Sequence, residues 1–189
     1  MNKKLNNSRR SLKIGFLLYS CLWVSCQHFS SSLTRTIAAQ VTTKGDFDGD
    51  GIQEYASLVP PKFTSDSMNC VGKCISVINF SNKHIKPIAV DGCIGGQPIN
   101  LGDLDNDGND EIGLLPEWFT SCWRSYLVYT YKEGKWVYAI PPFPVHCNAV
   151  EEGLPLVKKD STNKGHALIR YSEFDNSQII TKTKSIAIN

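Results

Sequence analysis

Hydrophobic residues in this chain come in short runs separated by polar turns, a pattern typical of β-strands. Two of the runs begin at a cysteine: "CISVINF" at residues 74–80 and "CWRSYLVYTY" at residues 122–131. Each reaches a polar turn, "SNKH" or "KEGK", and is followed by a second apolar run, "IKPIAV" or "WVYAI". Because Val, Ile, Tyr and Trp favour strands, both segments are predicted to form β-hairpins.

A further apolar run lies ahead of each hairpin and ends at a proline. These runs read "YASLVP", which ends at Pro60, and "IGLLP", which ends at Pro116. Proline cannot donate a hydrogen bond to a sheet, so it is typical of a strand end. The chain shows no long stretch with a helical spacing of apolar residues. The pattern therefore predicts a mainly all-β fold with two similar β-hairpin or β-meander units.

An acidic segment overlaps the start of each of these runs. "GDFDGDGIQEYA" occupies residues 45–56 and "GDLDNDGNDEIG" residues 102–113, so the two align without a gap at an interval of 57 residues. Two copies in register indicate a duplicated unit. A single β-domain is predicted from 41 to 189, with a first repeat at about 41–97, a second at about 98–152, and C-terminal strands at about 153–189.

The acidic residues alternate with other residues on what should be a tight loop. Their carboxylates then converge on one point, where like charges repel unless a cation neutralises them. Oxygen ligands suit a hard cation, and a flexible cage of several oxygens favours Ca²⁺ over Mg²⁺. In an EF-hand the closing glutamate is at position 12, whereas here the closing acid comes at position 9 and a strand follows. The alternative interpretation is a pair of acidic, solvated turns.

The pattern G-D-x-D-x-D-G-x-x-[DE], leading into a strand, resembles the calcium loops of FG-GAP and VCBS-type repeats, as in integrin-α-like β-propellers. The resemblance implies propeller-blade-like units, each preceded by a calcium loop, and two Ca²⁺ sites. The side-chain ligands it implies are Asp46, Asp48, Asp50, Glu54, Asp103, Asp105, Asp107 and Glu111. The backbone carbonyls of Ile52 and Asn109 would complete the two cages. A propeller typically has four or more blades, whereas this chain holds two such units, with "SEFDNSQII" at 172–180 as a degenerate third candidate.

The first residues have the layout of a secretory signal. A basic segment precedes an apolar run from Ile14 to Val24, which is too short to span a bilayer. Ser25 before Cys26 resembles the lipobox of bacterial lipoproteins. This resemblance implies a signal peptide at 1–25, lipidation of Cys26, and attachment to a membrane of the bacterial cell envelope, outside the cytoplasm. Cys21 is a rival lipidation site, and cleavage without lipid is a further alternative.

Removal of the signal changes both the length and the charge of the chain. The polar residues 26–40 are then predicted to form a flexible tether, and the 164 remaining residues are enough for one domain with its own core. The chain has 20 basic and 18 acidic residues, and five of the basic ones leave with the signal, so the mature net charge is −3. The basic balance belongs to the precursor, and no nucleic-acid partner is predicted.

Cysteines in a secreted chain tend to pair. A hairpin turn near 133–134 places Cys122 close to Cys147, and a turn near 83 places Cys74 next to Cys93. Disulfides Cys122–Cys147 and Cys74–Cys93 are therefore predicted. Cys70 is left over, and "CVGKC" would alternatively be a redox or metal pair.

These features favour a calcium-stabilised binding or structural module, with a protein or glycan as its possible ligand. The alternative is a metal-assisted extracytoplasmic hydrolase. The histidines are scattered and no G-x-S-x-G or H-E-x-x-H motif occurs, so no catalytic residue is predicted; His146 beside Cys147 suggests a Cys–His pair only if that cysteine is unbonded. Trp136 is predicted to lie in the core, whereas Trp118 either joins the core or forms a platform for sugar or peptide.

Overall fold

A computed structural model of the chain describes residues 42–189. The predicted signal peptide at 1–25, the lipidation site Cys26 and the tether at 26–40 lie outside the described residues. Eleven strands in three antiparallel sheets make up about half of the described chain, and no sheet closes on itself. The prediction of a mainly β fold is confirmed. Within residues 42–189 no helix has the length and apolar character needed to cross a membrane.

The first sheet is a meander of four strands in chain order. Its strands are β1 Thr42–Gly45, β2 Glu54–Val59, β3 Ile75–Phe80 and β4 Ile88–Asp91. The predicted hairpin is β3 with β4, paired antiparallel with Ile78 opposite Ile88. All four strands fall between residues 41 and 97.

The second sheet has the same strand order, and all of its strands fall between residues 98 and 152. Its strands are β5 Ile99–Gly102, β6 Glu111–Leu114, β7 Trp123–Lys132 and β8 Lys135–His146. The predicted hairpin is β7 with β8, which turns at Glu133 and Gly134 between the paired Lys132 and Lys135. The short helix α1, Cys147–Glu151, follows β8.

The third sheet contains β9 Val157–Lys159, β10 His166–Asp175 and β11 Gln178–Ala187, in the order β11-β10-β9. Residues 172–180, the third acidic candidate, form the turn of the β10–β11 hairpin. Asn176 and Ser177 both have positive φ, as a two-residue hairpin turn of type I′ requires. Its residues on either side of the turn pair directly, from Ser172 opposite Thr181 to Asp175 opposite Gln178, so this segment does not form a third acidic loop.

The position of the acidic loops corrects one prediction. Each loop does not precede its unit but joins the first two strands of its sheet, because β1 and β5 pair with β2 and β6. The sequence "TTKG" of β1 lacks the apolar alternation that identifies a half-buried strand. It is a strand because all four of its residues pair with β2, from Thr42 opposite Ser57 to Gly45 opposite Glu54.

The second sheet is the middle layer, with a hydrophobic core on each of its faces. Leu127 and Tyr129 on β7 pack with the first sheet, whereas their neighbours Tyr126 and Val128 pack with the third. This alternation follows from the period of two along a strand. Trp136 is partly buried against the first core and stacks on Phe80 at 5.0 Å between ring centroids, so its predicted core role is confirmed.

One of the two predicted disulfides is present. Trp123 lies opposite His146, which brings the next residues outward, Cys122 and Cys147, to a Cα–Cα distance of 4.8 Å and a disulfide. The bond closes the open end of the β7–β8 hairpin.

The predicted disulfide Cys74–Cys93 is wrong. The hairpin does place the two residues side by side, since the Cys93 N–H donates to the Cys74 carbonyl. However, the segment before Cys74 folds back on itself and brings Cys70 to within 5.3 Å of Cys74, Cα to Cα, and these two residues are bonded. Cys93 is a buried thiol that donates to the Gly95 carbonyl at 3.1 Å.

Candidate metal centres

The two acidic loops, residues 46–53 and 103–110, share two of their internal hydrogen bonds. A carboxylate oxygen of the first aspartate accepts from the glycine N–H five residues later, at 2.9 Å from Gly51 and 3.2 Å from Gly108. The third aspartate accepts from the N–H two residues later, at 2.7 Å from Ile52 and 2.9 Å from Asn109. Gly51 and Gly108 have positive φ, which a side chain would disfavour. The two loops therefore have one local design.

A buried apolar side chain anchors each loop to the protein interior. Phe47 and Leu104, each located after the first aspartate, are 0% and 1% exposed. Their N–H groups donate to the closing glutamates, at 3.0 Å to Glu54 and 2.7 Å to Glu111. Through these hydrogen bonds the two glutamates, Glu54 and Glu111, are held with their carboxylates buried at the base of each loop.

Several carboxylate oxygens in these loops are buried and make no hydrogen bond. They are Asp46 Oδ1, Asp48 Oδ1 and Glu111 Oε1. A buried polar atom without a partner costs about 1–3 kcal/mol, and more when it is charged. In the first loop Asp46, Asp48 and Asp50 bring one oxygen each to within 4.8 Å of the others, and in the second Asp103, Asp105 and Glu111 do so. Such a set of oxygens fits a hard cation such as Ca²⁺.

The carboxyl groups of the two closing glutamates have raised pKa values when no cation is bound. Burial raises the pKa of Glu111 to about 7, against the opposing effects of the Leu104 N–H and the nearby Thr130 hydroxyl, and the charges of Asp105 and Asp107 raise it further. Burial also raises the pKa of Glu54, again with the neighbouring aspartates adding to the effect. The ionised form of both groups is therefore disfavoured until a positive charge is placed beside them.

The structure brings most of the predicted ligands together, though not all of them. Glu54 and Asp107 lie outside the two closest groups of oxygens. Glu54 instead holds the Phe47 N–H, and Asp107 holds the Asn109 N–H. The Asn109 side chain donates to the Tyr131 carbonyl at 2.9 Å, so it ties the loop to β7.

Asp110 is a residue of this site that the alignment of the two loops does not indicate, because its counterpart is Gln53. Its carboxylate accepts from the Asp46 N–H at 3.0 Å and from Asn100 Nδ2 at 2.8 Å, and its own N–H donates to the Asp46 carbonyl at 2.7 Å. A side chain at Gly45 would collide with both Asn100 and Asp110. Asp110 therefore joins the second loop to the first.

Replacing Asp110 with alanine is expected to destabilise the protein by about 1–3 kcal/mol, since it leaves the Asp46 N–H and the Asn100 amide without their charged acceptor. The first loop should also bind calcium more weakly, although Asp110 is not a predicted ligand. Chemical denaturation and a calcium titration measure both effects. Asp91→Ala, at an exposed aspartate on β4, is the control and should change stability by less than about 0.5 kcal/mol. Equal effects of the two variants would contradict this role.

Two other predicted features lie at the far end of the β7–β8 hairpin. Cys147 is bonded to Cys122, so it offers no thiol to His146, whose Nδ1 instead accepts from the Asn148 N–H at 3.3 Å and caps α1. A cavity of about 460 Å³ opens between the first two sheets, and Trp118, Trp123 and Tyr138 around it are each about 40% exposed. Trp118 is therefore at a surface opening.

Comparisons with protein-family models, with curated proteins and with solved structures find no match to this chain. The resemblance of the two loops to FG-GAP and VCBS-type repeats stays a prediction from their residues.

Proposed function

We propose that this protein is a calcium-binding module of the bacterial cell envelope, in which each acidic loop holds one Ca²⁺. The observation that carries the proposal is the set of buried carboxylate oxygens without a partner, Asp46 Oδ1, Asp48 Oδ1 and Glu111 Oε1, within two loops of the same hydrogen-bonded design. A bound cation would supply the missing partner to each of them. The chain's part is to hold these oxygens in place through the anchors Phe47 and Leu104.

Bound calcium would stabilise the loop that joins the first two strands of each sheet, and so would hold these strands together. Each loop connects a short outer strand, β1 or β5, to the strand beside it, β2 or β6. A strand of four residues forms few ladder bonds, and a metal that neutralises the loop offsets the repulsion between its carboxylates. The common strand order of the two sheets supports the further proposal that they are two copies of one blade-like unit.

Isothermal titration calorimetry of the chelator-treated protein tests the calcium proposal. We expect two Ca²⁺ to bind per chain, with Mg²⁺ binding more weakly because it requires a smaller, more regular octahedral site. A variant with Asp46→Ala and Asp103→Ala should bind neither ion measurably while keeping its far-ultraviolet circular dichroism spectrum. Heat of binding that survives in this double variant would place the calcium elsewhere.

Membrane attachment through Cys26 is a separate part of the proposal. It is supported by the basic and apolar residues before Ser25 and Cys26, and the Cys122–Cys147 and Cys70–Cys74 disulfides are consistent with an oxidising compartment. Mass spectrometry of the mature N-terminus should find a lipidated cysteine at residue 26. Cys26→Ala should release the domain from the membrane fraction, and an unmodified terminus in the native protein would reject lipidation.

The ligand of the module is proposed to be a protein or a glycan. The support is the opening between the first two sheets, where Trp118, Trp123 and Tyr138 present aromatic surface to solvent. Exposed aromatic residues grouped around one opening are typical of binding surfaces.

A further inference from the structure

The two acidic loops differ in the side chain that reaches into them from the third strand of their own sheet. In the first loop, Asn82, just after β3, donates from Nδ2 to Asp48 Oδ2 at 3.0 Å. In the second loop, Lys132 at the end of β7 places its Nζ 3.4 Å from Asp105 Oδ2 and 3.7 Å from Asp107 Oδ2. Asp48 and Asp105 are the matching second aspartates. A neutral amide thus occupies one loop, and a positive charge the other.

The ammonium group of Lys132 is held in this position. It donates to the backbone oxygen of Asn189 at 2.6 Å as well as to Asp105, so two acceptors hold it. Its side chain is about one-third exposed, and that of Asp105 is 13% exposed. A charge pair that is partly removed from water is screened less than one on the open surface. The contact therefore matters to the charge balance of the loop.

Other charges near the loops reinforce the difference. Lys159 Nζ contacts the Asp103 carbonyl at 2.5 Å and Asn106 Oδ1 at 2.8 Å, so a second ammonium lies on the second loop. Across residues 42–189, no lysine, arginine or histidine forms an ion pair with an acidic residue of the first loop. The first loop therefore has unneutralised carboxylates and the second has a tethered cation.

We infer that Lys132 lowers the calcium affinity of the second loop, so that calcium fills the first loop before the second. Before a divalent cation can enter among Asp103, Asp105 and Glu111, it meets the repulsion of the ammonium or must displace it from Asp105. The first loop carries no such cost, because the Asn82 amide is neutral. Lys132 is a residue that sets affinity and does not itself bind the metal. This inference rests on the proposed function.

The same contact has a consequence for the metal-free protein. Lys132 stands where it neutralises part of the charge of Asp105 and Asp107, so the second loop is less destabilised without calcium than it would be if Lys132 were absent. Removing the ammonium of Lys132 should therefore have two effects: calcium should bind the second loop more tightly, and the metal-free protein should be less stable. A residue with a merely structural role would weaken both.

Calcium titration of the whole protein followed by nuclear magnetic resonance tests the inference. The amides of Gly51 and Gly108, each bonded to the first aspartate of its own loop, report the two loops separately without any mutation. In the unaltered protein, Gly51 should respond at a calcium concentration roughly tenfold lower than Gly108, the size expected for one partly screened charge. Lys132→Gln should shift the response of Gly108 toward that of Gly51, and Asn82→Lys should weaken the response of Gly51.

Lys135→Gln is the matched control. It removes the same charge from an exposed residue of the same turn and should leave the order of filling unchanged. Equal calcium affinities of the two loops in the unaltered protein, or equal effects of Lys132→Gln and Lys135→Gln, would overturn the inference while leaving the calcium sites in place. No calcium response at either glycine would overturn the proposed function itself.

Discussion

Calcium is expected to raise the free energy of unfolding by about 5 kcal/mol when its free concentration is a hundredfold above both dissociation constants. Each occupied site contributes about 2.7 kcal/mol under that condition, provided the unfolded chain does not bind the metal. For a domain of this size, about 1 kcal/mol moves the melting temperature by roughly 2–4 °C. Melting curves recorded with calcium and with chelator should therefore differ by roughly 10–20 °C.

A variant that keeps the fold but loses the second site measures how much of the calcium-dependent stabilisation comes from that site. Glu111→Gln preserves the size of the buried side chain and an oxygen for the Leu104 N–H, while removing the charge that would face a cation. About half of the calcium-dependent stabilisation should disappear in this variant. A calcium effect that is equal in the variant and the unaltered protein would show that the stabilising ion is not at Glu111.

Raising the pH from 5 to 8 is expected to lower the stability of the metal-free protein by about 2–3 kcal/mol. The pKa of Glu111 is about 7 in the folded protein, against an ordinary value of 4.5. Between these values the folded state binds more protons than the unfolded state, so stability falls as the pH rises through that window. Each pKa unit corresponds to about 1.4 kcal/mol. The raised pKa of Glu54 acts in the same direction.

Chemical denaturation in chelator at a series of pH values measures this effect. Glu111→Gln removes the titrating group, so its stability should change much less over the same range. Saturating calcium should also flatten the profile, because the bound ion keeps the carboxylate ionised. A metal-free protein whose stability rises between pH 5 and 8 would show that Glu111 is not the buried, calcium-free carboxyl described here.

The β-hairpins could be predicted from the sequence because their information is local. The strand-favouring residues Val, Ile, Tyr and Trp in "CISVINF" and in "CWRSYLVYTY", each followed by a polar turn, identify β3 and β7 without reference to the rest of the chain. The edge strand β1, by contrast, is polar and short. β1 forms by pairing along β2, with Gly45 opposite Glu54 at the start of the acidic loop. Composition does not reveal this pairing.

The convergence of oxygens in the acidic loops could be predicted from the sequence, but the residues that support the loops could not. The order of acids and glycines indicates a convergent set of oxygens, and it also gives Gly51 and Gly108 their turns. Asp110, Asn82 and Lys132 reach the loops from distant parts of the chain or across to the other loop. The Asp110 contact depends on how the two sheets pack, and the contacts of Asn82 and Lys132 depend on where the third strand of each sheet ends beside its loop. No local pattern encodes either arrangement.

The cysteines show the same limit. A β-hairpin fixes which residues lie opposite one another, so Cys122–Cys147 follows from the turn at Glu133 and Gly134. The register also placed Cys93 beside Cys74, yet Cys74 is bonded to Cys70. The competing partner is four residues away in the chain and is brought near by an irregular loop, for which sequence periodicity provides no prediction.

The most direct test of the calcium proposal is the anomalous diffraction of a crystal of residues 42–189 grown with calcium. Two anomalous peaks are expected, one among Asp46, Asp48 and Asp50 and one among Asp103, Asp105 and Glu111, each about 2.3–2.6 Å from its oxygen ligands. The second peak should lie against Glu111 Oε1, the fully buried oxygen that has no partner in the protein. Loops that keep the geometry described here but show no anomalous signal at saturating calcium would contradict the account.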